Sequence, residues 1–371
     1  MLIIWIPVGI LILYVALHSF YLAVWDKKLS ASIYFTKRTV TEGDELTLVE
    51  EVANAKRIPI PVLIMEYKLN RNIRMHGNEN ASVTDRTNVI EYFSLGPREK
   101  VLREHRLTAE KRGYYRIDSS DIEVPELFSG KRGYMHLVQD TDLIVFPRML
   151  SFDYFQGISE RLLGESLARR RMYEDVFSFR GIREYAPTDP MSSINWKASA
   201  RTGDFMVNLR DFTYGQEIEI LLNLAYPGAR NPERLLEYAI RIAYTIAGSC
   251  IDHKVPVSIV SNGRDAITGR ELAIHAGSST DHIRSVGMSL ARLDLGLGGR
   301  AFADILRAGK RIAGRENVST LMICSDRGDE VIRGALELAR KKDGLYWLCP
   351  LEKDTEEKSI PTEITFQVIE I

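Results

Sequence analysis

Three side chains that lie close together in the sequence could carry out hydrolysis: the Asp189 carboxylate, the Lys197 amine and the Ser199 hydroxyl. In covalent hydrolysis a serine hydroxyl attacks the substrate while a neighbouring base takes its proton. All three belong to residues 181–201, here called the 181–201 segment, which contains no histidine that could serve as that base. An enzyme is therefore an alternative hypothesis and not the leading one.

The same segment has two other interpretations. Its charged side chains could form an ion-pair network that fixes local geometry without doing chemistry, with the aromatic side chains packed over it. Alternatively, the segment could be a docking surface, because loops on a rigid scaffold often carry recognition. The sequence leaves both open. The residues concerned are Arg183, Glu184, Tyr185, Asp189, Trp196, Lys197, Ser199 and Arg201.

No other motif predicts a cofactor. Residues 296–301 match G-x-G-x-x-A, but a helical stretch precedes them where a dinucleotide site needs a strand, so we expect a simple glycine loop. The seven histidines never occur at metal-ligand spacing in the sequence. Three cysteines without a CxxC pair fit a reducing compartment. With 49 basic and 50 acidic residues the net charge is −1, which argues against nucleic acid as a partner.

The elements that must position these residues begin with an apolar N-terminus. None of the first 25 residues is Asp, Glu, Lys or Arg. As a helix this stretch would be about 37 Å long, enough for a hydrocarbon core of about 30 Å. The stretch is too long for a cleaved signal peptide and lacks a basic start. We therefore predict a single-pass membrane anchor over 1–25. The basic residues after it, which favour a cytoplasmic location for the soluble domains, are Lys27, Lys28, Lys37 and Arg38.

Residues 31–148 consist of short alternating segments separated by turn signals, without a long amphipathic pattern. This is typical of an antiparallel, immunoglobulin-like β-sandwich. Residues 70–88 are polar and predict a loop. The predicted strands are 32–35, 46–52, 58–64, 89–95, 101–107, 113–117, 122–124 and 143–146.

The remainder divides into a linking segment, 149–216, and an α/β domain, 217–371. In the linking segment a helix is predicted over 159–173, followed by irregular structure to about Arg210. After that, apolar strands alternate with amphipathic helices, which indicates a Rossmann-like, mostly parallel sheet covered on both faces. The predicted strands are 217–224, 255–260, 272–276, 319–324 and 345–349. A helix is predicted to begin at Asn231-Pro232, and the others are 280–293, 301–313 and 330–341.

The 181–201 segment resembles the conserved run of the family named domain of unknown function 58. That run reads approximately L-R-E-Y-x-P-G-D-x-x-R-x-I-D-W-K-A-S-A-R. Three other segments agree in order: Glu42-Gly-Asp44, 111–116 and 145–148. Asn195 departs from the family, which has aspartate there. The matching positions are Arg183, Glu184, Tyr185, Pro187, Asp189, Ile194, Trp196, Lys197, Ala198, Ser199, Ala200 and Arg201.

The resemblance implies that the last domain is of the von Willebrand factor A type. Metal-binding members of that fold have D-x-S-x-S after the first strand, whereas this chain has Asn223, Ala225 and Pro227 there. Asp326 is the one carboxylate left near the carboxyl edge of the predicted sheet. Magnesium needs anionic and hydroxyl oxygens, so we expect a degenerate site that binds no metal.

The resemblance also implies a partner, because family members are commonly paired with MoxR-type AAA+ ATPases. We therefore expect a membrane-anchored, non-enzymatic scaffold or adaptor that mediates protein–protein interaction. Its candidate surfaces are the 181–201 segment and the sheet edge around Asn223, Asn262 and Asp326. The alternatives are an envelope-associated hydrolase that uses Asp189, Lys197 and Ser199, or a metal-dependent adhesion module.

Overall fold

The computed structural model describes residues 2–77, 82–83, 86–125, 132–151, 179–186, 189, 191–210, 217–225, 232–312, 318–340, 345–352 and 359–370. Contacts divide the chain into two compact units, Met1–Arg148 and Met149–Ile371. The helix predicted over 159–173 lies outside the described residues. The structure is mixed α/β, with several sheets and many strands.

The first unit begins with α1 (Leu2–Val24), a helix with no charged residue. Its side chains are described for residues 8–21 and 23–24, and large apolar ones among them, such as Ile10 and Leu17, are exposed. No helix within the described residues is long and apolar enough to span a membrane. Just after α1, Trp25 is buried in the core of the first unit.

The strands of the first unit form two sheets. One has the order β1-β3-β8-β5 and the other β2-β10-β9-β4-β7-β6, and every pairing is antiparallel except β2 with β10. In chain order the strands are β1 (Leu29–Phe35), β2 (Thr39–Thr41), β3 (Glu45–Asn54), β4 (Ile60–Asn70), β5 (Ile73–Met75), β6 (Ser82–Val83), β7 (Arg86–Leu95), β8 (Lys100–Ala109), β9 (Gly113–Pro125) and β10 (Arg132–Phe146).

A single hydrophobic cluster takes side chains from both sheets, among them Leu48 of β3 and Leu63 of β4. Alternation along β3 directs Leu46, Leu48 and Val52 into this core, as the sequence pattern predicts. The prediction of a loop over 70–88 is wrong, because β5, β6 and the start of β7 fall within it. Polar residues can form strands when neighbouring strands supply the hydrogen bonds, as β8 does for β5.

The second unit begins, within the described residues, with a small ribbon. Strands β11 (Phe179–Glu184) and β12 (Met206–Arg210) pair antiparallel, and between them lie a 3₁₀ turn (Met191–Ser193) and α2 (Trp196–Thr202). The prediction of irregular structure to Arg210 is therefore wrong. Each strand has hydrogen bonds only to the other and is too short to show a periodic pattern of apolar residues in the sequence.

The rest of the second unit is a seven-stranded sheet with helices, as the strand–helix alternation predicts. Its order is β15-β14-β13-β17-β18-β19, with β16 on β14; β15 and β16 are antiparallel to β14 and the other pairs parallel. The strands are β13 (Glu217–Leu222), β14 (Val257–Asp265), β15 (Glu271–Gly277), β16 (Leu293–Asp294), β17 (Val318–Ile323), β18 (Leu345–Leu351) and β19 (Thr365–Glu370). The helices are α3 (Pro232–Asp252), α4 (Thr280–Ala291), α5 (Phe302–Ile312) and α6 (Asp329–Ala339).

Successive residues of β13 enter different cores. Ile220 and Leu222 pack in a cluster with α3 and α4, whereas Leu221 packs in a second cluster with α5 and α6. Because side chains alternate along a strand, the two helix pairs cover opposite faces of the sheet. Three parallel strands, β13, β14 and β17, thus end side by side at one carboxyl edge.

Candidate interaction site

The ribbon positions the 181–201 segment. Arg183 of β11 lies opposite Val207 of β12, and an isolated bridge joins Ile194 to Val207. Ile194 and Val207 are buried. Two further backbone bonds join the segment to β12 and the residue before it: Tyr185 N donates to Phe205 O at 2.8 Å, and Asn195 N donates to Met206 O at 2.7 Å. The ribbon therefore holds the segment at its start and again at Ile194 and Asn195.

Arg183 and Asp189 form a bidentate ion pair. The two guanidinium Nη atoms each donate to one carboxylate oxygen at 2.7 Å. The same carboxylate accepts from Ala186 N at 2.9 Å, and Arg183 donates to Glu184 O at 2.9 Å. The hydrogen bonds from Arg183, followed by that from Ala186, hold the pKa of Asp189 below its ordinary value. The pair closes the loop between β11 and the 3₁₀ turn.

Asn195 caps α2. Its Oδ1 accepts from Ala198 N at 3.0 Å, and its Nδ2 donates to Asn208 Oδ1 of β12 at 2.7 Å. The Ser199 hydroxyl donates to Asn195 O at 2.9 Å and accepts from Met206 N at 2.8 Å. An aspartate at the position of Asn195 could cap the helix but could not donate to Asn208. The Asn195 amide therefore has a structural role that an aspartate could fill only in part.

A group of aromatic side chains, here called the aromatic patch, lies on this framework and consists of the half-buried Tyr185 and the exposed Trp196 and Phe205. The Phe205 ring contacts the other two edge to face, with ring centroids 6.2 Å apart in both cases. Trp196 is 64% exposed and Phe205 57% exposed. Nearby in sequence, Met191 is also exposed. Large exposed apolar groups of this kind are typical of interaction sites.

The remaining predicted residues of the segment separate into two groups. Glu184, Lys197 and Arg201 are exposed, and within the described part of the chain none of them has an ion-pair partner. The charged network is therefore confined there to the pair of Arg183 and Asp189. The groups that a hydrolase would need, the Asp189 carboxylate and the Ser199 hydroxyl, are both engaged in holding the segment together.

The second predicted surface is the carboxyl edge of the seven-stranded sheet, where two buried asparagines form a closed network. Asn223 Oδ1 accepts from Ala225 N at 3.0 Å and from Asn262 Nδ2 at 2.9 Å. Asn223 Nδ2 donates to Cys324 Sγ at 3.1 Å, and Asn262 Oδ1 accepts from Leu224 N at 2.8 Å. Amide groups thus satisfy one another at this edge of the sheet.

The predicted degenerate site also includes Asp326 and Pro227. Asp326 Oδ1 accepts from Gly328 N at 2.8 Å, so this carboxylate caps the approach to α6. Pro227 lies outside the described residues.

The glycine loop at 296–301 follows β16 and not a helix. Its Gly299 packs against Asn262, because a Cβ added at Gly299 would lie 1.8 Å from Asn262 O.

Sequence reasoning missed one cluster, in the first unit. Glu50, Glu91 and His105 bring two carboxylates and an imidazole nitrogen within 4.8 Å of one another, although histidine spacing along the sequence gave no metal signal. The available signal was Glu50 itself, an acidic residue at an inward position of an alternating strand.

Comparison with known proteins gives no identification. No protein-family model matches the sequence, and no match is found among curated proteins. Solved structures with partial similarity include a CARDB domain from Pyrococcus furiosus (14% identity, 30% of this chain and 94% of that chain, TM-score 0.18). Others are a non-cellulosomal cohesin from Archaeoglobus fulgidus (10%, 34% and 96%, TM-score 0.20) and the bacterial hydrophobin BslA (18%, 33% and 97%, TM-score 0.19). TM-scores this low carry no argument about function.

Proposed function

We propose that this chain is a membrane-anchored, non-enzymatic adaptor of the domain of unknown function 58 family. Its partner is a protein, namely a MoxR-type AAA+ ATPase, and the 181–201 segment is the docking surface. The observation that carries the proposal is the aromatic patch: Trp196, on the 181–201 segment, and Phe205, just before β12, are more than half exposed beside a paired ribbon.

Preorganisation supports this role. The pair of Arg183 and Asp189, the Asn195 cap and the Ser199 hydroxyl hold the segment in one conformation. A partner that binds a preformed surface pays little conformational entropy. Tryptophan, tyrosine and arginine are also the residue types that contribute most to protein interfaces. All three occur here, in Trp196, Tyr185 and Arg183.

The proposal assigns residues 1–25 as a single membrane anchor, with the soluble domains on the cytoplasmic side. Support comes from the absence of charge in α1, its exposed apolar side chains and the lysines that follow it. It further assigns the first unit as an immunoglobulin-like sandwich and the second as a von Willebrand factor A-type domain. The two sheets around one core and the parallel sheet between helix pairs support these assignments.

The alternatives fit the contacts less well. A hydrolase would need a Ser199 hydroxyl free to attack, whereas this hydroxyl accepts from a backbone amide of β12. A metal-dependent adhesion module would need free oxygens at Asn223, whereas both ends of that amide are already bonded.

Co-purification tests the proposal. The full chain is captured from membranes of its host as wild type and as the double variant Trp196→Ala/Phe205→Ala. Tyr92→Ala is the matched control, because Tyr92 is an equally exposed aromatic residue (62%) of the first unit. We expect an AAA+ ATPase with wild type and with the control, and at least about tenfold less with the double variant. Equal recovery from all three, or none from any, contradicts the proposal.

A further inference from the structure

A polar cluster connects the two sheets of the first unit. Glu50 of β3 and His105 of β8 belong to one sheet, and Glu91 of β7 belongs to the other. Glu50 is fully buried, and the side chains of Glu91 and His105 are 14% and 13% exposed. Burying two carboxylates in an apolar core is unfavourable unless something compensates their charge.

The compensation among the described residues is incomplete. Arg103 forms an ion pair with Glu91, and Tyr67 donates to Glu50 Oε1 at 2.6 Å. Glu50 Oε2 and His105 Nε2, however, lie 3.2 Å apart and form a hydrogen bond neither with each other nor with another described residue. With a neutral His105, one carboxylate charge is therefore uncompensated at these two atoms.

We propose that Glu50, Glu91 and His105 bind a divalent transition-metal ion, such as zinc, that joins the two sheets. The distances suit this ion: His105 Nε2 is 3.2 Å from Glu50 Oε2 and 3.8 Å from Glu91 Oε1. Zinc binds imidazole nitrogen and carboxylate oxygen at about 2.0–2.2 Å, so two ligands of a tetrahedral ion lie about 3.4 Å apart. Two carboxylates and one imidazole leave a fourth position for water.

The surroundings provide the second layer of contacts that metal sites need. Tyr67 orients Glu50 through its other oxygen, and Arg103 does the same for Glu91. Such contacts fix ligand orientation and tune affinity. Arg103 also lies over the Phe93 ring, 4.4 Å from its centroid, and donates to Tyr92 O, so other contacts hold it in place. Glu50, Glu91 and Arg103 together carry one net negative charge, which a divalent ion would more than offset.

A protonated His105 is the competing explanation, since it too would balance the second carboxylate. The two explanations differ in one testable respect, because only the metal site would bind an added ion. The full chain, purified in detergent and stripped with chelator, is titrated with zinc by calorimetry and with cobalt by visible absorption. We expect one ion per chain, a cobalt spectrum typical of low coordination number, and a higher unfolding temperature with zinc.

Variants assign the site. Glu91→Gln and His105→Gln each remove one ligand, and we expect affinity to fall at least about 100-fold. Tyr67→Phe should weaken binding by about 10–100-fold, because it removes only the orienting contact. His136→Gln is the control: His136 pairs with Asp121 on the surface of the same unit, so binding should be unchanged.

Circular dichroism checks that each variant is folded. If His105→Gln does not fold, Glu91→Gln alone tests the loss of a ligand. Absence of stoichiometric binding to the wild type overturns the proposal and favours the protonated histidine. Equal binding by wild type and by folded Glu91→Gln also overturns it, because the ion would then lie elsewhere.

Discussion

Replacing Gly299 by alanine should weaken the second unit because two backbone segments meet at this residue. The new Cβ would lie 1.8 Å from Asn262 O and 2.8 Å from the carbonyl carbon. Ordinary contact begins at 3.4 Å, so the loop or the end of β14 must move by about 1.6 Å. Neither atom belongs to a side chain that could rotate away. Overpacking of this kind costs about 1–3 kcal/mol, and we expect the upper end.

The displacement would also disturb the asparagine network, since Asn262 bonds both Asn223 and Leu224 N. Urea unfolding followed by circular dichroism measures the loss. Gly298→Ala is the matched control: it is the adjacent glycine, and an added Cβ there meets nothing within 4 Å. The control should change stability by less than about 0.5 kcal/mol. Equal effects of the two variants would refute the argument from close approach.

Two other features give predictions with direct measurements. The hydrogen bonds from Arg183 are the main cause of the lowered pKa of Asp189. The ion pair therefore stabilises the 181–201 segment fully at pH values above the ordinary aspartate pKa of about 3.9, and this stabilisation is lost as the pH falls through the lowered pKa. Hydrogen-exchange protection factors of this segment, corrected for the intrinsic pH dependence of exchange, should therefore fall in acid in the wild type more than in Asp189→Asn; parallel profiles would contradict this. All three cysteines are buried, and burial raises the pKa of Cys250 and Cys349 to about 12. Iodoacetamide at neutral pH should modify none of them until urea is added, and rapid native labelling would be inconsistent with their burial.

Much of the secondary structure could be predicted where residues repeat with a regular period. The long amphipathic pattern of α3 and the apolar run of β13 each correspond to an observed element. The 181–201 ribbon could not be predicted in this way. Its helix is only 7 residues long and is stabilised by the Asn195 cap, and its strands gain hydrogen bonds only from each other. Such elements depend on contacts that local periodicity does not record.

The sites show the same limit. Arg183 and Asp189 are close in sequence, so an ion pair between them could be anticipated, whereas the exposure of Trp196 could not. For the inter-sheet cluster, alternation along β3 placed Glu50 inward, but its neighbours Tyr67 and His105 come from other strands. Only the pairing of the strands brings these side chains together. In the sequence, only Glu50, an acidic residue at an inward position of a predicted strand, indicated this cluster.

Photo-crosslinking in intact membranes tests the central claim, docking of an AAA+ ATPase on the aromatic patch, most directly. A photoreactive amino acid is placed at the position of Phe205 and, as control, at that of Tyr92, and the crosslinked proteins are identified by mass spectrometry. The account predicts an AAA+ ATPase crosslinked at the Phe205 position, with at least about tenfold less at the control. Equal crosslinking at both positions, or no AAA+ ATPase at either, would contradict it.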